Sequence, residues 1–347
     1  MIKKLQEKNL GEFLEPAAMS LNAFLEKWLE DVVRIKVRSA TYDGYESKIN
    51  THIRESIGKK RLCDLEGFDI QKLYNDMTKR GLSSKTVRHV HNVLNPALKQ
   101  AVRWRLIRQN PCDLCELPKL VKKEMRYFTP EETSIFLTHA KGDRYYAAFV
   151  LAIECGMRPE EFLGLRWKDI DFEHSRVYVR RALVAKKGGG FEFCEPKTAK
   201  SRRSIPLSIS AVATLKIHRR SQLEAKMKVI DIFADSDLVF PTEIGTPMRY
   251  GNLDRRHFKQ IIRRANEAIK KDNLENNTNN HGIPVIRLYD LRHTMATLLL
   301  LKGVNPKVVS ERLGHSTISL TLDTYSHVLP TMQEAATDHM EKLMFGT

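Results

Sequence analysis

Apolar residues recur at helical spacing through the first third of the chain. From Leu21 to Leu29 they stand three and four residues apart, and Ser20 precedes them. That period predicts an amphipathic helix with Ser20 as its N-cap. Three similar patterns follow, each introduced by Ser or Asp, at 39–53, 69–80 and 83–104. We therefore predict a small all-helical domain of four or five helices at residues 20–117.

The helical pattern stops at a stretch that contains prolines and lysines. Two prolines interrupt it, and a basic run spans 119–123. Beyond that run, Thr129 followed by Pro130 is typical of a helix start, because a Thr side chain caps free backbone N–H groups and proline suits the first turn. We predict a linker at 118–126 and a second domain at 127–330.

The second domain begins with helical patterns and then changes to strand patterns. An apolar stretch at 147–153 predicts a helix that stops near Gly156, and Pro159 is placed to start another. Three short segments alternate apolar and polar residues, which predicts three strands of one sheet: 176–184, 191–195 and 201–207. The Asn-rich segment at 270–284 is polar, and we expect a mobile surface loop there. The predicted fold is mainly α with a small β-sheet, a helical domain followed by a mixed α/β domain.

Charge points to the kind of partner. The chain has 347 residues and a formal net charge of +16, which favours a polyanion, with nucleic acid as the leading candidate. A basic protein of the membrane surface is the alternative, but the sequence shows no long apolar run, lipidation signal or signal peptide. We expect a soluble cytoplasmic protein, associated with the nucleoid when it is bound to DNA.

The five cysteines are odd in number and scattered. Cys112 and Cys115 form one C-x-x-C pair, but no second Cys or His pair follows at zinc spacing. We therefore predict reduced thiols, no metal and no cofactor.

The segment 287–325 carries the candidate chemistry. It contains Arg292, His293, His315 and Tyr325. In one continuous helix these groups would spread over roughly 50 Å, but Gly303 and Gly314 can each end a helix and turn the chain back. A guanidinium can bind two phosphate oxygens, an imidazole can donate a hydrogen bond, and a phenol can act as a nucleophile. The set suits a phosphodiester substrate.

Two segments carry a resemblance to a known family. LYDLRHTMATLLLLKG with RLGHSTISLTLDTYSHV resembles the second motif block of the tyrosine recombinases, the phage-integrase family, and GMRPEEFLGLRWKDID resembles its first arginine block. Residues 20–117 resemble the family's core-binding domain more loosely. The resemblance implies a core-binding domain and a catalytic domain that form a C-shaped clamp around duplex DNA.

The resemblance also implies a role for each candidate residue. Tyr325 would attack the scissile phosphate to give a 3′-phosphotyrosyl link and release a 5′-hydroxyl, while Arg158 and Arg292 neutralise the phosphoryl oxygens. His315 would donate a hydrogen bond to the phosphate, and a part in deprotonating the phenol is also open. Two supporting roles complete this set: Glu161 beside Arg158, and His293 as a support of the fold.

Lys197 is the candidate acid for the leaving 5′ oxygen. The family's catalytic lysine occupies a β-hairpin, and the Pro-Lys-Thr setting of Lys197 matches it. The residues alone would not select it from the surrounding basic patch, and Lys200 is a second candidate. Tyr289 departs from the family pattern, since it stands where a histidine is usual. A phenol can donate a hydrogen bond to phosphate, but it is not a cation near pH 7.

Partners follow from the same resemblance. We expect double-stranded DNA, a homo-tetramer on DNA that exchanges a C-terminal helix at 331–347, and a directionality factor. The segment LQEKNLGEFLEP resembles the end of the last helix of an arm-binding domain, so we expect residues 1–19 to be the remnant of such a domain after truncation. A simpler recombinase that lacks this domain is the alternative. The basic residues that we expect to contact DNA are Lys79, Arg80, Lys85, Arg88, Lys99, Arg103, Arg105, Arg202, Arg203, Arg255, Arg256 and Lys259.

The predicted function is site-specific recombination for integration and excision of a mobile element. Two alternatives stay open. A DNA-binding regulator that has lost most of its activity would fit the charge and Tyr289, and a type IB topoisomerase uses the same nucleophile chemistry. The predicted C-terminal helix favours recombination, because it suits assembly with neighbouring subunits.

Overall fold

The computed structural model describes residues 19–120, 125–195, 201–325, 337 and 340–346. The chain divides into two compact units, and the division lies between Lys123 and Glu124. This position falls inside the segment 118–126 that the sequence assigns to a linker.

The first unit is built from helices. Ser20 and Ser83 cap the first and last of them by accepting hydrogen bonds from the N–H groups of Ala23 (3.3 Å) and Thr86 (3.2 Å). The helices are α1 (Leu21–Trp28), α2 (Arg34–Lys36), α3 (Ser39–Lys48), α4 (Gly67–Lys79) and α5 (Ser84–Arg103), with π-helical turns at Leu29–Val33 and Ile49–Ile53 and 3-10 turns at Leu62–Asp64 and Pro111–Leu114.

The core of this unit is formed by the apolar faces of its helices. Phe24 of α1, Leu73 of α4 and Leu94 of α5 are all buried in one cluster. The side chains recur at the spacing that the sequence showed, so α1, α4 and α5 each turn one face inward. The prediction of an all-helical first domain is confirmed.

The second unit carries nine further helices in its described part. Thr129 caps the first, since its hydroxyl accepts from the N–H of Glu132 (3.2 Å) and the Glu132 carboxylate accepts from the N–H of Thr129 (2.8 Å). The helices are α6 (Pro130–Ala140), α7 (Tyr146–Cys155), α8 (Pro159–Leu163), α9 (Ile209–Lys228), α10 (Tyr250–Leu253), α11 (Lys259–Asn276), α12 (Asp290–Leu301), α13 (Pro306–Leu313) and α14 (Ile318–Thr324).

Five short strands form two sheets, so the prediction of one three-stranded sheet was wrong. The strands are β1 (Ile170–Asp171), β2 (Arg176–Val179), β3 (Ala182–Ala185), β4 (Phe191–Cys194) and β5 (Arg203–Pro206). One antiparallel sheet has the order β1-β2-β5, and β3 pairs with β4 in a separate hairpin.

The error lies at Arg180 and Arg181, where the segment 176–184 divides into two strands. Burial keeps its period of two across the division, since Val179 and Leu183 are both buried, so alternation could not reveal it. Both guanidinium groups lie 3.6 Å from Oδ1 of the buried Asp169. We ascribe the division to this attraction, because the chain leaves the first sheet where the two arginines face that carboxylate.

The predicted Asn-rich loop was also partly wrong, because α11 continues to Asn276. Asn277 ends that helix in a left-handed conformation with φ of 51°, which asparagine tolerates better than most residues. The Asn273 side chain then accepts hydrogen bonds from the hydroxyl of Thr278 (2.8 Å) and the N–H of Asn280 (2.9 Å). Asparagines that looked like a loop signal therefore build a helix end.

A small apolar cluster sets the place of the last three helices. Met295 and Leu300 of α12 pack with Leu313 of α13 and with Tyr325, which follows α14. Gly303 (φ 75°) and Gly314 (φ 65°) make the turns between these helices in the left-handed region that favours glycine. Both predicted turns are confirmed.

The predicted tail helix at 331–347 lies largely outside the described residues. Its described positions 337 and 340–345 are helical. Met340 and Leu343, which belong to the predicted apolar stripe, are 54% and 81% exposed.

Within the described part of the chain, no helix combines the length and the apolar character that crossing a membrane requires.

Candidate active site

The two glycine turns gather residues from three helices around one buried phenol. Arg292 and His293 lie in the first turns of α12, His315 follows Gly314 at the end of α13, and Tyr325 follows α14. Tyr325 is 1% exposed. The structure thus brings together guanidinium, imidazole and phenol groups, as the sequence predicted.

Arg292 is held by the ends of two helices. Its Nη1 donates to the carbonyl of Gly156 (2.6 Å), after α7, and its Nη2 donates to the carbonyl of Leu313 (2.7 Å), the last residue of α13. Carbonyl groups at a helix C-terminus lack partners within their helix and carry partial negative charge. They suit a guanidinium that is only 1% exposed.

Burial lowers the pKa of Arg292 to about 10, and the positive charge of Arg158 acts in the same direction. The group is still a cation at neutral pH. Its charge is therefore fixed in place before any substrate arrives, with the planar fork already oriented by two carbonyls.

Glu161 lies between two other arginines. It is 4% exposed, and its carboxylate accepts from Nη1 of Arg158 (2.9 Å) and from both terminal nitrogens of Arg203 (3.1 and 2.8 Å). Burial raises the pKa of Glu161, but the hydrogen bonds and charge of Arg203 and the charge of Arg158 outweigh it, so the net pKa is lowered. The carboxylate is an anion that orders two guanidinium groups.

The place of Arg203 corrects its assignment to DNA contact. Its side chain is 7% exposed, and its Nε donates to the carbonyl of Arg312 (2.7 Å) while its other nitrogens bind Glu161. Because two of its nitrogens bind a buried carboxylate and the third binds a carbonyl, its place favours a role in ordering the site over contact with the DNA backbone. The sequence held a signal for this, because Arg203 shares the strand face of Ile205, which is buried.

The Tyr325 hydroxyl lies 2.9 Å from Nδ1 of His293. The two rings meet edge to face with centroids 5.8 Å apart, and Tyr289 contacts the His293 ring in the same way at 5.4 Å. Burial raises the pKa of Tyr325, whereas the charges of Arg292 and Arg158 lower it in part. His293, which the resemblance assigned to support of the fold, thus contacts the candidate nucleophile directly.

His315 is oriented by Thr321 of α14. The Thr321 hydroxyl, fully buried, lies 2.8 Å from Nδ1 of the imidazole. Burial, with the charges of Arg292, Arg158 and Arg203, lowers the pKa of His315 to about 3. The ring is therefore neutral at pH 7, and if Thr321 donates to Nδ1, Nε2–H is left as the donor. Thr321 belongs to no motif in the sequence, so the sequence alone does not predict its contact with His315.

Lys197 and Lys200 lie outside the described residues. The hairpin of β3 and β4 precedes them, and β5 follows. Arg202, beside them in the chain, is exposed and pairs with Glu195 at 2.6 Å.

The other predicted DNA contacts are exposed, except for Arg88, and some of them have partners within the protein, such as the Gly251 carbonyl for Arg255. Arg88 is half-buried and its Nε donates to the carbonyl of Pro118 (3.0 Å), and Lys259 pairs with Asp254 (3.1 Å). The exposed members are Lys79, Arg80, Lys85, Lys99, Arg103, Arg105, Arg255, Arg256 and Lys259.

Metal chemistry gains no support from the described residues, where no group of three or more His, Cys, Asp or Glu side chains could hold an ion. The cysteines there are all free thiols.

Two family models match the sequence. The model described as Phage integrase family matches residues 126–332, and the model described as Phage integrase, N-terminal SAM-like domain matches residues 20–78. A protein of Caldanaerobacter subterraneus subsp. tengcongensis named tyrosine recombinase XerC-like is 32% identical over 94% of this chain and 83% of its own length.

Solved structures share the fold. The Tn1549 transposon integrase in complex with transposon right end DNA has a TM-score of 0.74 at 24% sequence identity, covering 94% of this chain and 99% of that one. A lambda integrase tetramer bound to a Holliday junction has a TM-score of 0.63 at 19% identity, covering 93% and 85%. The predicted fold class is confirmed.

Proposed function

The chain belongs to the phage integrase family of site-specific tyrosine recombinases, and we propose that Tyr325 is the nucleophile with which it cuts and rejoins DNA strands. The observation that carries this proposal is the place of the Tyr325 hydroxyl. It is buried next to His293, and the charges of Arg292 and Arg158 both act on it. A phenol near two guanidinium groups can attack a phosphate that those groups hold.

Arg292 and Arg158 bind the non-bridging oxygens of the scissile phosphate. The charge on these oxygens grows as the phenol attacks, and guanidinium groups fixed beforehand stabilise it without reorganising. Arg292 is fixed by the carbonyls of Gly156 and Leu313, and Arg158 by Glu161. Arg203 acts through Glu161, so it is a positioning residue.

His315 donates Nε2–H to the same phosphate. Its Nδ1 is occupied by Thr321, and the pKa near 3 keeps the free ring neutral at pH 7. Lys197 protonates the leaving 5′ oxygen, with Lys200 as the second candidate for that step. Tyr289 stands where the family usually has histidine, and its ring packs against His293.

The energy of the cut bond is conserved in the 3′-phosphotyrosyl link, so a second DNA strand can attack it without ATP. The exposed basic residues of both units contact the DNA backbone. The solved tetramer of lambda integrase supports a tetramer here, assembled through the helix that the sequence predicts at 331–347. The Tn1549 integrase supports integration and excision of a mobile element as the biological setting, with a directionality factor that selects between them.

The experiment uses a duplex with a site that the protein selects from random DNA, nicked near the exchange point so that a short strand is lost after cleavage. Wild type is expected to form a covalent adduct that survives denaturing electrophoresis, and Tyr325→Phe is expected to form none. Tyr145→Phe is the matched control, because Tyr145 is equally buried at 1% and its hydroxyl donates to the carbonyl of Pro241 (2.9 Å). It should keep the adduct.

An adduct that persists in Tyr325→Phe would overturn the assignment of the nucleophile. No adduct from wild type on a bound site would favour a regulator without activity. Relaxation of supercoiled DNA that lacks the site would favour a topoisomerase.

A further inference from the structure

The oxygen atom that the proposed function makes the nucleophile touches an imidazole. Nδ1 of His293 lies 2.9 Å from the Tyr325 hydroxyl, and the tyrosine is almost fully buried. A phenol in such a place cannot pass its proton directly to bulk water. It needs an acceptor within hydrogen-bond reach, and this nitrogen is one.

Helix α12 fixes the imidazole in this position. Tyr289 lies four residues before His293, so the two side chains share one face of the chain as it enters the helix, and their rings meet edge to face at 5.4 Å. The preceding residue, Arg292, is anchored by two carbonyls. The ring of Tyr289 and the anchored Arg292 therefore both restrict His293, and its Nδ1 faces the phenol.

The other histidine of the site is a poor acceptor. Nδ1 of His315 is occupied by the buried Thr321 hydroxyl at 2.8 Å. The charges of Arg292, Arg158 and Arg203 also oppose a further positive charge on that ring. Since a base acts best when its pKa is near the working pH, His315 is better suited to donating a hydrogen bond than to accepting a proton.

We infer that His293 is the general base that takes the phenolic proton of Tyr325 during cleavage and returns it during rejoining. The inference rests on the proposed role of Tyr325 as nucleophile. It gives a catalytic role to a residue that the resemblance assigned only to the fold, and it assigns the deprotonation of the phenol to His293 in place of His315.

During cleavage the bond from Tyr325 Oη to phosphorus forms, the bond from phosphorus to the 5′ oxygen breaks, and the phenolic proton moves to Nδ1 of His293. The leaving 5′ oxygen takes a different proton, from the lysine. During rejoining a 5′-hydroxyl attacks phosphorus and gives its proton to the lysine, the bond to Oη breaks, and Oη takes the proton back from Nδ1. The resting ring must therefore carry its own proton on Nε2.

His293→Asn is the decisive substitution. The amide oxygen of asparagine can take the place of Nδ1 and accept the hydrogen bond from Tyr325, but it cannot accept a proton near pH 7. If His293 only supports the fold, the variant should cleave almost like wild type. If it is the base, the rate of adduct formation on the nicked duplex should fall about 100-fold or more.

The rate constant is measured in a single turnover on protein that has already bound the duplex, so unfolded molecules do not contribute. His139→Asn is the matched control, because that half-buried histidine of the same unit hydrogen-bonds through Nδ1 to the carbonyl of Ile135 (2.9 Å). It should leave the rate unchanged. A rate for His293→Asn within about threefold of wild type would overturn the inference.

A second substrate distinguishes the base from the acid of the same reaction. With sulfur in place of the bridging 5′ oxygen, the leaving group departs without a proton, so loss of the leaving-group acid should matter little. The defect of His293→Asn should remain with this substrate, whereas that of Lys197→Ala should shrink. A His293→Asn defect that disappears with sulfur would assign His293 to the leaving group and refute its role on the phenol.

Failure of this inference is distinguishable from failure of the proposed function. If Tyr325→Phe retains the adduct, the nucleophile is wrong and the whole assignment falls. If Tyr325→Phe abolishes the adduct while His293→Asn cleaves normally, the recombinase mechanism stands and only the general base is refuted.

Discussion

The guanidinium side and the phenol side of the site are built in opposite ways. On the guanidinium side, a buried carboxylate, Glu161, binds Arg158 and Arg203, and two helix-end carbonyls bind Arg292. On the phenol side, Tyr325 and His315 are oriented by neutral hydrogen bonds to His293 and Thr321. Charge fixes one side, and packing with a few neutral contacts fixes the other.

The two sides also differ in how firmly their elements are held. Helix α14, which leads to Tyr325, buries only Thr321, and residues 316–320, which include its first three positions, are exposed. The guanidinium side draws on α7, α8, β5, α12 and α13, which belong largely to the core. Elements with few buried contacts open at low cost. Phosphate binding is therefore arranged in advance, whereas the nucleophile lies next to an element that can shift.

The largest effect is expected on the guanidinium side, at Glu161. Glu161→Gln keeps the shape but removes the negative charge, so the buried guanidinium of Arg203 and its neighbour Arg158 lose their counter-ion. Removing one partner of a buried ion pair costs about 3–5 kcal/mol. Urea unfolding should show a loss of that order, and adduct formation should fall with it.

Glu160→Gln is the control for this substitution, because Glu160 is half-exposed in the same helix. Its effect should stay below about 0.5 kcal/mol. Equal losses for the two variants would show that Glu161 does not hold the guanidinium side together.

The next effect in size is expected at Gly156, whose carbonyl binds Arg292. Its φ of 60° is strained for alanine, and an added Cβ would lie 2.0 Å from Cε of Met295. Gly303 has a φ of 75° but open space around it, so Gly303→Ala isolates the backbone cost of about 1–2 kcal/mol. Gly156→Ala should cost more than this in urea unfolding, and it alone should slow cleavage.

A double substitution sharpens this prediction. Met295→Ala removes the colliding atom, so adding it to Gly156→Ala should give a loss smaller than the sum of the two single losses. Strict additivity would show that the contact with Met295 contributes nothing.

For the phenol side, the sequence predicts where the residues lie better than it predicts which side chains they contact. Gly303 and Gly314 correctly predicted the turns, and these turns bring His315 and Tyr325 back to α12. The partners of these residues, His293 for the phenol and Thr321 for the imidazole, depend on how two helices meet after the chain turns. The spacing of residues within one helix does not predict contacts between two helices. It only limits which residues of each helix can face the other.

On the guanidinium side the sequence failed for a different reason. Arg203 looked like one more member of a basic cluster, and charge alone cannot tell an arginine that faces solvent from one that neutralises a buried carboxylate. The alternation of side chains along the strand around Ile205 did distinguish the two cases, because Arg203 shares the face of the buried Ile205. Similarly, the period of two continued through Arg180 and Arg181, so it could not show that one predicted strand was two.

A smaller effect is expected at Thr321, on the phenol side. Thr321→Val keeps the shape but removes the hydroxyl that lies 2.8 Å from Nδ1 of His315. Leaving a buried hydrogen-bonding group without its partner costs about 1–3 kcal/mol, and the half-buried His315 should bring the loss near the lower end. The rate of adduct formation should fall because the ring loses its orientation.

Thr321→Ser is the matched control, since it keeps the hydroxyl and removes one methyl group. It should lose about 1 kcal/mol of stability but retain the cleavage rate. A slow Thr321→Ser enzyme with a normal Thr321→Val enzyme would refute the role of this hydrogen bond.

The smallest effect is the pH dependence that His315 adds to stability. Burial and the nearby arginines lower its pKa to about 3 in the folded chain, whereas the pKa of a histidine in the unfolded chain is about 6.5. Above that value neither state binds the proton. As the pH falls from about 6.5 towards 3, the unfolded state gains a proton that the folded state does not, so stability declines across this window. Solvent around the half-buried ring weakens the effect.

Urea unfolding at pH 7.5 and pH 5 tests this pH dependence. The loss of stability between the two pH values should be larger in wild type than in His315→Gln, which has no group to titrate there. Equal losses would mean that the guanidinium side does not act on the imidazole, and that the two sides of the site are electrostatically independent.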